Sequence, residues 1–102
     1  MSARVEQFRA LVALQPENEL FRFSLAQALS AAGRDAEAES HYRYCADQKA
    51  DWMLPRILLG KHLLATGRRT EAKPWLEAAL RLALEQDHGD PAAELKALLA
   101  QL

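Results

Sequence analysis

The chain repeats itself at one fixed interval, and nothing else in it constrains the fold as strongly. When residues 20–38 are laid on 54–72, nine positions coincide: Leu20/Leu54, Arg22/Arg56, Leu25/Leu59, Leu29/Leu63, Ala31/Ala65, Gly33/Gly67, Arg34/Arg68, Glu37/Glu71 and Ala38/Ala72. A fixed period of this length marks a stacked helical array, in which no repeat buries its apolar face without a neighbour. Arrays of this kind present a concave surface to other proteins. The fold class expected is all-α, an α-solenoid of antiparallel helix pairs.

Apolar residues recur at helical spacing throughout, and no segment alternates convincingly at period two. The spacing predicts a first helix over 3–15, with Val5, Phe8, Leu11, Val12 and Leu14 on one face, Ser2 as N-cap and Pro16 as the stop. A second helix follows Asn18 and ends before Gly33, whose freedom to adopt a left-handed conformation suits a helix terminus. The third starts with Asp35 as cap and turns Ala38, His41, Tyr42 and Cys45 inward. The fourth follows Asp51, carries Pro55 in its first turn and ends at Gly67. The fifth is expected to be capped by Thr70, with Pro74 in its first turn, and to run to Gln86 through Trp75, Leu76, Ala79, Leu80 and Ala83. Asp90-Pro91 reads as N-cap and first helical residue of a sixth helix over 91–101, with Leu95, Leu98 and Leu99 as its stripe. Connections of a few residues make neighbouring helices antiparallel.

With 102 residues, half of them hydrophobic, the chain suffices for one small domain. Thirteen Lys and Arg against fourteen Asp and Glu leave a net charge of −1, which argues against nucleic acid as the main partner. The longest apolar runs are a few residues, too short to span a membrane. Residues 1–8 lack the continuous apolar segment of a secretory signal, so the expected location is cytoplasmic. Cys45 is the only cysteine, which rules out an internal disulfide.

The pattern resembles the tetratricopeptide repeat, in period and in its helix–turn–helix unit. Residues 53–86 carry Leu59-Gly60, Leu63, Gly67, Ala72 and Leu76; residues 19–52 carry Leu25-Ala26, Leu29, Gly33, Ala38 and Tyr42. Gly60, Ala26, Ala38 and Ala72 are small where paired helices must approach closely. The first helix, with Phe8 and then Pro16, is similar to the second helix of a preceding repeat. The chain departs from the family where its tryptophan is expected (Arg22 and Arg56), where its tyrosine is expected (Leu29 and Leu63), and at the closing prolines, replaced by Ala50 and Leu84. The resemblance implies one domain over 1–102: a half-repeat helix at 3–15, repeats at 19–52 and 53–86, and a capping helix at 91–101. It further implies that the first helix of each repeat lines the concave groove. The face opposite the core offers Leu20, Phe23, Gln27 and Ser30 in one repeat and Leu54, Ile57, Lys61 and Leu64 in the next.

Five of those eight are large and apolar, so the expected role is a non-enzymatic module that binds a peptide or amphipathic helix of another protein. Lys61 and Gln27 would set polarity or register. The alternative is a self-associating scaffold, a homodimer through the same face or the last helix; a monomer completed by its end helices is favoured. The fourth helix is apolar nearly all round, so the sixth folding back over part of it is the competing account of that face. Some members of the family grip a terminal carboxylate with polar groove residues, but Phe23 and Ile57 stand where such grips would be needed.

Other constellations read as packing or solvated charge. His41 and Cys45, one turn apart, suggest a nucleophile pair or half a metal site, yet no third ligand is near in sequence. Asp87-His88-Gly89-Asp90 has too few carboxylates for a calcium loop. Arg34, Arg68 and Arg69 sit at turns. Tyr42, Tyr44, Trp52 and Trp75 fall at helical spacing or element ends, and His62 and His88 are isolated. There is no Gly-rich phosphate loop and no nucleophile elbow. No cofactor and no metal is expected.

Overall fold

The turns between helices show how the repeat is built. In the computed structural model, which describes residues 3–102, the described residues form six helices and no strand: α1 (Ala3–Leu14), α2 (Glu19–Ala31), α3 (Asp35–Gln48), α4 (Met53–Ala65), α5 (Arg69–Glu85) and α6 (Gly89–Ala100). The starts of α2 and α4, at Glu19 and Met53, keep the interval of the sequence repeat, as do those of α3 and α5, at Asp35 and Arg69. Gly33 and Gly67 hold φ of 79° and 77°, the left-handed conformation that L side chains resist. Around them the same two bonds close each turn. Gly33 N–H donates to Ser30 O and Arg34 N–H to Leu29 O; Gly67 N–H donates to Leu64 O and Arg68 N–H to Leu63 O. These are Schellman motifs, which satisfy carbonyls that the helix end leaves open.

A third turn of the same kind joins α5 to α6 with no glycine at its centre. Asp87 takes φ 60°, Asp87 N–H donates to Leu84 O and His88 N–H to Ala83 O. In sequence, Asp90-Pro91 reads as the cap and first residue of the last helix. Instead α6 begins at Gly89, with His88 at the N-cap, and Asp90 and Pro91 lie in its first turn. Proline is tolerated there because first-turn N–H groups have no intrahelical partner.

The second helix of each pair also starts earlier than its polar residues suggest. Because Arg34 and Arg68 complete the preceding turn, α3 begins at once with Asp35 and α5 with Arg69; neither N-cap residue makes a side-chain cap bond. Asp35 and Thr70 are therefore inside their helices, and the Asp35 carboxylate accepts from Ser30 Oγ at 2.9 Å. Pro74 becomes the sixth residue of α5 rather than a first-turn residue. It removes the N–H that would bond to the Thr70 carbonyl, on an exposed flank. Asn18 does cap α2, its Oδ1 accepting from Phe21 N–H at 3.1 Å. The Ser2 cap lies outside the described residues.

The chain forms two compact units that divide between Ala50 and Asp51. In the first, α2 packs on α1 and α3; in the second, α5 packs on α4 and α6. The repeated positions fill both cores: Leu25 and Leu59, Leu29 and Leu63, Ala38 and Ala72 are all at most 2% exposed. Tyr42, Cys45 and Phe23 complete the first core, Leu76, Leu82, Ala83 and Leu95 the second. Gly60 faces Leu76 so closely that an added Cβ would lie 2.5 Å from Leu76 Cδ2. Val5 is buried and Phe8, Leu11 and Val12 are half-buried, but Leu14 is 79% exposed. Nine residues past Val5, at about 100° per residue, it lies on the opposite side of α1.

Candidate functional site

Most of the nine repeated residues have a visible structural task. The leucines at 25, 29, 59 and 63 and the alanines at 38 and 72 are core, and the glycines make the turns. Arg34 pairs with Glu37 at 3.0 Å and Arg68 with Glu71 at 2.6 Å, one turn apart on the following helix. The arginines in place of the family's tryptophan both donate to a carbonyl in the connection before their helix, Arg22 Nε to Pro16 O and Arg56 Nη1 to Trp52 O, each at 2.8 Å. Arg22 also lies over the Tyr44 ring, 4.1 Å from its centroid, a cation–π contact. Ala31 and Ala65 are small exposed residues that end their helices, and Leu20 and Leu54 remain. They are 60% and 41% exposed, a large apolar side chain left in water at the same register of α2 and α4.

The other residues of the expected groove are placed as follows. In the first unit Gln27 and Ser30 are exposed, while Phe23 is 8% exposed and sits edge-on to Tyr42, ring centroids 6.0 Å apart. In the second unit Leu64 is half-buried, Lys61 is exposed and Ile57 is 8% exposed. Phe23 and Ile57 thus belong largely to the cores, not to the open face. Lys61 is not free either: its Nζ is paired with Glu94 Oε1 of α6. Sequence reasoning missed this partner, which stands two helices further along the chain and has no local signature.

Around that ion pair α4 and α6 enclose a cleft of about 290 Å³, lined by Leu54, Ile57, Leu58, Lys61, Asp90, Pro91 and Glu94. Its lining is aliphatic at Leu54, Ile57, Leu58 and Pro91 and charged at Lys61, Asp90 and Glu94. Within this unit α6 packs on α5 and meets α4 at the Lys61–Glu94 pair, while Leu54, beside the cleft, stays 41% exposed. In the first unit the α1–α2 turn borders a second concavity, about 550 Å³, lined by residues 15–20 with Leu20 at one end.

Neither His41 nor Cys45 is set up for chemistry. Burial pushes the Cys45 thiol up to about 11, so the thiolate needed for nucleophilic attack is absent near neutrality. Its S–H donates to Glu19 O at 3.4 Å. Burial also holds His41 below its ordinary range, assisted by Arg22 and Arg9 and opposed by Glu37, and its Nδ1 has no hydrogen-bond partner among the described residues. Among the described residues no group of three or more His, Cys, Asp or Glu could hold a metal ion, and no helix is long and apolar enough to cross a membrane.

No protein-family model matches the chain, and no curated protein matches it. Solved structures do. The type III secretion translocator chaperone SycD of Yersinia enterocolitica superposes with a TM-score of 0.88 at 21% identity, over 95% of this chain and 68% of its own. PcrH, solved in complex with the chaperone binding region of PopD, gives 0.86 at 22% identity, over 95% and 74%. Protein BPP2914 of Bordetella parapertussis gives 0.80 at 27% identity, over 99% and 88%. With six helices and these neighbours, the fold is the all-α helical-repeat fold of tetratricopeptide-like proteins.

Proposed function

We propose that this chain is a non-enzymatic protein-interaction module, a divergent tetratricopeptide protein that binds an apolar peptide segment or amphipathic helix of another protein. The observation that carries the proposal is the paired exposure of Leu20 and Leu54. The first helix of each repeat, α2 and α4, offers one large apolar side chain at the same register, and neither is needed to fill a core. The proposed contact set in the first unit is Leu20, Phe23, Gln27 and Ser30, and in the second Leu54, Ile57, Lys61 and Leu64, with the buried members supplying the floor. That a protein of this fold, PcrH, was solved with a region of PopD bound supports the reading. The Cys45 thiol, raised by burial, and the half-buried His41, held below its ordinary range by burial, fit a role without catalysis. The proposed setting is the cytoplasm.

A random-peptide display library selected on the wild-type protein tests this. Expected is a set of apolar-rich peptides whose binding falls about thirtyfold in Leu20→Asp or Leu54→Asp, the loss of one buried anchor residue. Both positions are exposed, so circular dichroism should show the variants folded. Full affinity in both folded variants would overturn the proposal. The rival use of the same leucines is a homodimer; sedimentation velocity at high micromolar concentration is expected to show a monomer.

A further inference from the structure

The α4–α6 cleft has a polarity that specifies more than an apolar occupant. It is lined by the apolar Leu54, Ile57, Leu58 and Pro91 together with Asp90 and Glu94 of α6 and Lys61 of α4. Asp90 and Glu94 are four residues apart and so share one helix face. Lys61 is already paired with Glu94, whereas Asp90 makes no ion pair among the described residues. The lining thus holds two carboxylates against one ammonium, an excess of negative charge beside aliphatic surface.

We propose that this cleft seats one large apolar side chain of a partner peptide that has a lysine or arginine next to it, the cation lying at Asp90 and Glu94. The volume of about 290 Å³ admits a single bulky side chain. Such a side chain would cover the exposed part of Leu54 and remove apolar surface from water. The adjacent cation relieves the repulsion between the two carboxylates and shares Glu94 with Lys61. An acidic neighbour would meet Asp90 and find Lys61 already engaged, so the lining selects against it. This inference rests on the peptide-binding reading above and adds the partner's chemistry to it.

The test is display selection on the wild type and on Asp90→Lys, with Asp90→Asn as the conservative control. Position 90 is exposed, and thermal melts verify that the variants fold. Wild-type selection should enrich an apolar residue adjacent to Lys or Arg. Those peptides should bind Asp90→Lys about tenfold more weakly and Asp90→Asn with an intermediate loss. Reselection on Asp90→Lys should favour Asp or Glu beside the apolar residue. Peptides that depend on Leu20 and Leu54 but show no basic preference and ignore position 90 would overturn this proposal while leaving peptide binding intact. Selection of no peptides would overturn both. Self-association of the wild type that Leu54→Glu abolishes would assign the cleft to a second copy and also overturn it.

Discussion

The two units share a frame and fill it differently. Where the first has Ala26 and Tyr42, the second has Gly60 and Leu76 at the equivalent positions of the repeat. The first unit combines aromatic and sulfur-containing core residues with polar ties between helices. Arg9 of α1 bonds Glu37 of α3, Nη2 to Oε1 at 2.9 Å and Nη1 to Oε2 at 2.5 Å. Lys49 meets Glu19 at 3.3 Å, and Arg22 lies over Tyr44. The core of the second unit is aliphatic, and its helices approach where Gly60 lacks a Cβ. The same repeat can therefore be held around a core of large aromatic side chains or around a closely approached aliphatic one, each with ion pairs at its margin. The aliphatic version leaves a cleft between α4 and α6, with Ile57 among its lining residues.

The largest test of this shared frame is truncation of its common leucines. Leu29→Ala and Leu63→Ala each delete a fully buried side chain, and each should cost about 2–5 kcal/mol in urea unfolding. Both tyrosines lie in the first unit and both tryptophans in the second, so intrinsic fluorescence distinguishes them. Costs that differ by more than this range between the two positions would break the equivalence.

Gly60→Ala sharpens the contrast. The new methyl group strikes Leu76, an overpacking worth about 1–3 kcal/mol, against a gain of about 1 kcal/mol in helix propensity. A net loss of about 1 kcal/mol is expected, and Gly60→Ala/Leu76→Val should lose less than the two single changes summed. In the first unit Ala26→Gly should also cost about 1 kcal/mol, from backbone entropy, with no such coupling to position 42. At the turns, Gly33→Ala and Gly67→Ala meet no neighbouring atom, so each should cost only the conformational term, about 1–2 kcal/mol. Asp87→Gly should stabilise by up to about 1 kcal/mol, because Asp87 bears that same strain. Denaturant midpoints check all of these.

What could be read before the structure follows from range. The repeat interval, the glycine turns, the Asn18 cap and the small residues at helix contacts are local signals with one physical meaning each, and the structure has them as read. Thr70, Asp35 and Asp90 misled because a Schellman turn can run straight into the next helix, which leaves a good capping residue inside it. Asp87 was unread because its left-handed conformation is imposed by the turn, not announced by a glycine. At the candidate site, the exposure of Leu20 and Leu54 follows from the period. The burial of Phe23 against Tyr42, the Lys61–Glu94 pair and the cleft depend on contacts between separate helices, several turns apart along the chain, and no spacing rule reaches them.

The smallest effect expected is an acid dependence located in the first unit. Burial, with Arg22 and Arg9, holds His41 below its ordinary 6.5. The unfolded chain therefore takes up that proton first. Stability is full above about pH 6.5 and declines as pH falls below it, until the folded side chain is itself protonated. Glu37 is held below its ordinary 4.5, chiefly by the bond from Arg9, and Glu19 by its own backbone N–H and by Lys49. Their contribution is present above about pH 4.5 and is lost as pH falls through their folded values. The urea midpoint should thus drop in two stages between about pH 7.5 and 3. His41→Gln should remove the upper stage and Glu37→Gln should shrink the lower one. An upper stage that survives His41→Gln unchanged would detach the acid response from the half-buried α3 face that carries it.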